Sequence, residues 1–142
     1  MKLAINLDTV SFVIPVNPVS PAQAATMRRD DVLPIDVLFF AEGIRHELPE
    51  AATLSAKLNV KGTFGGTGLT TNGTFTKSGT GLDAVYSSSL DLSVAAVDTA
   101  FTAASDAASI DALLEIKIVD GTTIQRTEPL AVRIQNSIHQ PA

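Results

Sequence analysis

Residues 61–81, KGTFGGTGLTTNGTFTKSGTG, bring together glycines, a lysine and a serine, the residue types that cradle phosphate. A phosphate loop needs glycine at fixed places so that backbone N–H groups reach the anion, followed by Lys and then Ser or Thr. Lys77-Ser78 supplies the last pair. The two required glycine places hold Thr71 and Thr76 instead. The dinucleotide fingerprint GxGxxG fails as well, since Gly66-Thr67-Gly68 meets Thr71 at its third glycine place. His46 and His139 are the only histidines and lie far apart in sequence. Neither has partners at the spacing of a metal site or a catalytic triad. Asp30, Asp31 and Asp36 lack the alternating pattern of a calcium loop. Glu42, Glu47 and Glu50 crowd a turn without acid–base spacing. Asn72-Gly73-Thr74 matches a glycosylation acceptor, which means nothing in a bacterial or viral protein. With no cysteine, thiol nucleophiles, disulfides and thiolate metal sites are excluded. The expectation is a chain without catalytic, cofactor-binding or metal-binding residues, and so not an enzyme.

Composition narrows the partners. A chain of 142 residues fits one domain, 1–142, able to bury a core. Hydrophobic residues make up 45% and charged residues 18%, which argues against disorder. The net charge is −5, and the one adjacent basic pair, Arg28-Arg29, is followed by Asp30-Asp31. Nucleic acid is therefore not an expected partner, because phosphate neutralisation supplies most of that affinity. No segment approaches the ~20 apolar residues of a membrane-spanning helix, so no membrane insertion is expected. The start of the chain ends in a small-x-small Ala22-Gln23-Ala24, as secretion signals do, but Asp8 interrupts its apolar region.

The elements that must position any site read mostly as strands. Leu3/Ile5/Leu7, Val10/Phe12/Ile14, Ile35/Val37/Phe39, Leu54/Ala56/Leu58/Val60 and Leu114/Ile116/Ile118 all alternate with a period of two. Residues 82–92 give another strand, with Tyr86, Leu90 and Leu92 buried. Val94, Val97 and Phe101 share one helical face, which predicts a short helix with Ser93 as its N-cap. Asp120-Gly121 marks a hairpin whose return strand, 122–134, is interrupted by Pro129. The sum is about seven strands and one short helix without βαβ alternation: an all-β, immunoglobulin-like antiparallel sandwich. The antibody-type cysteine pair and Trp are missing, so only the architecture is implied.

Three segments stand outside that frame. Residues 15–26 form a proline-rich arm or linker, in which Pro15, Val16, Pro18, Val19 and Pro21 are candidates for an assembly contact. Residues 61–81 form a long Gly/Thr loop or hairpin built of two echoing arms, GTFGGTG and GTFTKSGTG. Gly65, Gly66, Thr67, Gly68, Thr70, Thr71 and Asn72 are its candidate recognition residues, although low-charge Gly/Thr tips are commonly plain surface. The polar tail 135–142 leaves the domain.

One order of features resembles small β-sandwich modules of bacteriophage tail and baseplate proteins. MRRDDVLPIDVLFFAEG (27–43) is similar to their opening, a basic residue and Asp before a strand and a glycine turn. YSSSLDLSVAAVDTAF (86–101) resembles their Tyr, strand, Leu-Asp-Leu and short-helix segment. LLEIKIVDGTTIQRTEPLAVRIQNSI (113–138) resembles their closing hairpin, where a threonine near a proline precedes a strand ending in Asn. The Gly/Thr insertion departs from that pattern. The resemblance implies a structural adaptor of a phage or prophage virion, associated with the tail or baseplate and made in the bacterial cytoplasm. Its partners would be other copies of itself or other virion proteins, and it carries over no cofactor. The competing class is a module that binds carbohydrate or protein through the 62–81 loop. Sugar binding favours exposed aromatics, and there is no Trp and a single, inward-reading Tyr.

Overall fold

The computed structural model describes residues 1–66, 68–72 and 74–137. Among them the chain forms thirteen strands and one α-helix. One sheet holds β1 (Lys2–Asn6), β2 (Ser11–Ile14), β3 (Asn17–Pro21), β5 (Val32–Ala41), β6 (Ile44–Arg45), β9 (Thr76–Ser78) and β10 (Val85–Asp91). Its order is β3-β2-β1-β5-β10-β9, with β6 folded back on β5. The second holds β4 (Ala25–Arg28), β7 (Thr53–Val60), β8 (Thr70–Asn72), β11 (Ser109–Asp120), β12 (Thr123–Arg126) and β13 (Leu130–Gln135). Its order is β4-β13-β11-β7-β8, with β12 beside the far half of β11. Helix α1 (Ala95–Ala103) carries the chain from β10 across to β11.

Alternation places the core between the sheets. Ile35, Val37 and Phe39 of β5 face Leu54, Ala56 and Leu58 of β7 and the even-numbered residues Ile110 to Ile118 of β11, all buried. Val97 and Phe101 of α1 complete this core. Burying each of these two stabilises by about 1.5–3 kcal/mol. The strand β5 is also buried on its other side, where Leu38 and Phe40 join Ala4 and Val13 in a second, smaller cluster. That explains the unbroken apolar run at residues 37–40, which alternation alone assigns to two faces.

The all-β sandwich is as the pattern predicts, with two differences of pairing and number. Strands β1 and β5 run parallel, as do β4 and β13. Parallel neighbours cannot be joined by a tight hairpin. Here the chain leaves β1, makes the β2–β3 hairpin, visits the other sheet as β4, and returns as β5. The strand number rises because segments too short to show a period pair nonetheless. The proline-rich 15–26 is one of them: it supplies a hairpin turn, the edge strand β3 and the crossing strand β4. Pro18 and Pro21 lack N–H donors, which suits an edge. The helix begins one residue later than expected, with Val94 as its N-cap, because Ser93 is engaged by the carboxylate of Asp91.

The interruption at Pro129 is a local break in one long return strand. Before it Arg126 pairs with Lys117, and after it Leu130 pairs with Leu114. Thr127 bridges the break: its N–H donates to the Ile116 carbonyl (3.0 Å), and its hydroxyl accepts from the Ile116 N–H (3.0 Å).

Candidate functional site

Two surfaces carry the features singled out in the sequence. The first is the edge of the β3-containing sheet. Pro15 and Val16 form the turn between β2 and β3, and Ile14 pairs with Asn17 across it. Pairing shifts at Val13/Ile14, so β3 follows the sheet only loosely. The Asn6 side-chain amide donates to the Pro18 carbonyl (3.2 Å), which ties the hairpin back to β1. Val16 is 93% exposed and Val19 79%. Beside them runs a groove of about 440 Å³ floored by Phe12, Ile14, Pro15, Ala22 and Leu130. The candidate arm is thus a folded hairpin edge that presents two valines next to an apolar groove.

The second surface is built by the Gly/Thr stretch, and the structure divides it between the two sheets. Strand β8 pairs with β7, whereas β9 pairs with β10 in the other sheet. The two strands of the stretch, β8 and β9, therefore do not pair with each other. Asn72 closes the open side of the sandwich: its amide donates to the Ser89 carbonyl of β10 (2.7 Å), while its oxygen accepts from the Thr74 N–H (2.7 Å). Thr70 is buried opposite Leu58, and Thr71 pairs with Lys57. Gly68 is pressed against β7; a Cβ there would lie 2.8 Å from the Leu58 carbonyl oxygen. Thr67 lies outside the described residues, as do Gly73 and residues 138–142 with His139. Of the candidate recognition residues, Gly65, Gly66 and the β8 residue Thr71 are exposed, and the two glycines lie in the open loop.

Those two glycines fold back over the outer face of β7. The Lys57 ammonium donates to the Gly66 carbonyl, and the Asn59 amide donates to the Gly65 carbonyl (3.2 Å). The Thr63 N–H donates to the Val60 carbonyl (3.0 Å). Positive φ at Gly62, Gly65 and Gly66 makes this reversal free of side-chain strain. Phe64 sits at the crest, 80% exposed. Below it a groove of about 320 Å³ opens over Leu113, Glu115, Arg126 and Pro129. Sequence reading missed Phe64, because an aromatic in a glycine run carries no period that tells its direction. It missed Arg126 and Glu115 because strand register alone brings them to the loop.

The charges are unevenly placed. Arg28, Lys57, Lys117, Arg126 and Arg133 all project from outward positions of the β7-containing sheet, half of the ten Lys and Arg in a chain of net charge −5. Asp111 pairs with Arg133 (3.8 Å), and Glu115 stands opposite Lys57 in register. Lys117 and Arg126 stand directly opposite each other. Like charges in that position repel.

The basic pair Arg28-Arg29 divides between surface and core. Arg28 points outward, whereas Arg29 is only 7% exposed and holds Asp98 (3.0 Å) and the Asn136 side-chain oxygen (3.0 Å). Asp36 accepts from the Ser87 hydroxyl (2.7 Å). Tyr86 accepts from the Leu48 N–H (2.9 Å) and stacks edge-on against Phe39. Glu47 is held below the usual carboxylate range by its hydrogen bond from Lys77 and then by the Gly81 N–H, although all three are solvent-accessible. Among the described residues no three of His, Asp and Glu come together as metal ligands, and no helix is long and apolar enough to cross a membrane.

No family model matches this chain, and no curated protein matches it. Among solved structures it is similar to the N-terminal domain of ORF48 of phage TP901-1, at 8% identity over 95% of each chain with a TM-score of 0.45.

Proposed function

We propose that the chain is a non-enzymatic adaptor module of a phage or prophage particle, associated with the tail or baseplate, and that the β2–β3 edge is its assembly contact. The observation that carries the contact is the placement of Val16 and Val19, the two most exposed valines, in the β2–β3 turn and on the edge strand β3, beside an apolar groove. Pro18 and Pro21 leave this edge few N–H donors for strand addition, so burial of the two exposed valines and the apolar groove against a neighbouring chain carries the contact. The sequence pattern of tail and baseplate modules supports the setting. Of the buried polar residues, Arg29 and Thr127 fall within the segments that carry this pattern, as does the buried Tyr86, whereas Thr70 lies in the Gly/Thr insertion that departs from it.

Solution mass by light scattering or native mass spectrometry tests the contact. The native chain is expected to form a defined oligomer, and the Val16→Asp/Val19→Asp double variant a monomer with an unchanged denaturation midpoint. A native chain that stays monomeric removes self-assembly through this edge. Removing residues 1–25 is not a usable test, because Leu3, Ile5 and Phe12 belong to the core.

A further inference from the structure

From the groove under Phe64 we infer that the outer face of the β7-containing sheet is a binding site for an acidic saccharide. This site is separate from the β2–β3 edge and does not depend on assembly through it.

Three observations converge. Phe64 is an exposed aromatic fixed by its loop, since the Lys57 and Asn59 side chains hold the two carbonyls that follow it. A ring presented this way offers a flat apolar surface at little ordering cost. The C–H face of a pyranose matches such a surface, and Leu113 and Pro129 extend it along the groove. The groove volume of about 320 Å³ lies at the small end of ligand pockets.

The polar groups settle the ligand's charge. Glu115 is an acceptor for ring hydroxyls, and Lys57 lies opposite it, so these two compensate each other. Arg126 lines the same groove and is set against Lys117 on the neighbouring strand, without a hydrogen bond or ion pair among the described residues. An anionic group bound between these two cations relieves their repulsion, and the planar guanidinium matches a carboxylate with two parallel hydrogen bonds. A uronic-acid sugar stacked on Phe64 with its carboxylate at Arg126 satisfies both halves of the groove. An acidic protein segment satisfies the charged half alone.

The test is titration of the full chain, by calorimetry, with a short oligogalacturonate, its neutral oligogalactose counterpart, and polyglutamate. The oligogalacturonate is expected to bind, and the neutral sugar at least about tenfold more weakly. Phe64→Ala and Arg126→Ala are each expected to weaken oligogalacturonate binding about five- to tenfold, with unchanged thermal unfolding. Both side chains are exposed, so folding is preserved. Equal binding of the neutral sugar overturns the inference, as does absence of oligogalacturonate binding. Polyglutamate binding as tightly, with no loss in the Phe64→Ala variant, also overturns it and marks the face as a contact for acidic protein.

Discussion

Two turns in this molecule are held by cationic side chains, with opposite consequences. The turn at residues 28–31 carries the chain from β4 in one sheet to β5 in the other. Arg29 lies buried within it, bonded to Asp98 of α1 and to Asn136 after β13, with its guanidinium 5.0 Å from the Phe101 ring. Asp106 approaches to 3.7 Å. Helix α1 makes a further crossing between the sheets, so one side chain ties two of these crossings together. The turn at residues 61–66 is held by Lys57 and Asn59, but only to its own carbonyls and on an outer face. The difference is one of burial. A buried cation needs every partner and therefore fixes geometry, whereas an exposed one holds a loop in shape and leaves its surface open.

The largest effect is expected on breaking the first turn. Arg29→Ala removes a buried hydrogen-bond network and the contact with Phe101, and takes away one of the donors to the Asn136 side-chain oxygen. We expect a loss of about 2–4 kcal/mol in urea denaturation. Asp98 and Asp106 are partly exposed and rehydrate, which keeps the loss below that of a fully buried pair. Arg29→Lys sharpens the point. A lysine ammonium is a point charge without the planar fork, so it should recover less than half of the difference. Full recovery by lysine would reduce the role of Arg29 to charge alone.

The second turn has its own fixed point, at its return to the sheet. Gly68→Ala combines a positive φ with a Cβ placed 2.8 Å from the backbone oxygen of Leu58. We expect a loss of about 1–3 kcal/mol by thermal or chemical denaturation. Gly65→Ala shares the positive φ but meets nothing within 4 Å, so about 1 kcal/mol is expected there. Equal losses at the two positions would show that conformation, and not contact with β7, sets the requirement.

The same contrast decides what the sequence reveals. Every long strand is legible, because Leu54/Ala56/Leu58 and Leu114/Ile116/Ile118 each place apolar residues on one face. The helix is legible through Val97 and Phe101. The parallel pairing of β1 with β5 is not, since no local pattern encodes which distant strand lies alongside. Nor is the role of Arg29: next to Arg28 and followed by two Asp residues it reads as a neutralised surface pair. Its burial follows from the crossing it serves. Strands of three residues such as β8 and β9 lack the length to show a period and are fixed by tertiary ties, Asn72 to Ser89 among them. The groove under Phe64 is illegible for a related reason, because its parts come from β7, β11, the loop, the end of β12 and the segment after it.

The smallest effect concerns the second arm of the Gly/Thr stretch, which Glu47 fastens through Lys77 on β9 and the Gly81 N–H (3.2 Å). The Lys77 hydrogen bond, followed by that of Gly81, lowers the pKa of Glu47, and the bond to Glu47 raises that of Lys77. A lowered carboxylate pKa gives stabilisation that is complete above the usual glutamate range and is lost as pH falls through the lowered value. A raised lysine pKa gives stabilisation complete below the usual lysine range and lost as pH rises through the raised value. The tie is therefore intact across neutral pH and weakens towards both extremes. Both groups are solvent-accessible, so salt screens the tie. Glu47→Gln should lower the denaturation midpoint slightly at neutral pH, with the gap closing as pH drops below the glutamate range and narrowing in high salt. No gap at neutral pH would mean that Glu47 acts there only as a hydrogen-bond acceptor, a role that the glutamine amide oxygen fills equally. The second arm would then be held as Asn59 holds the first, by hydrogen bonding without charge.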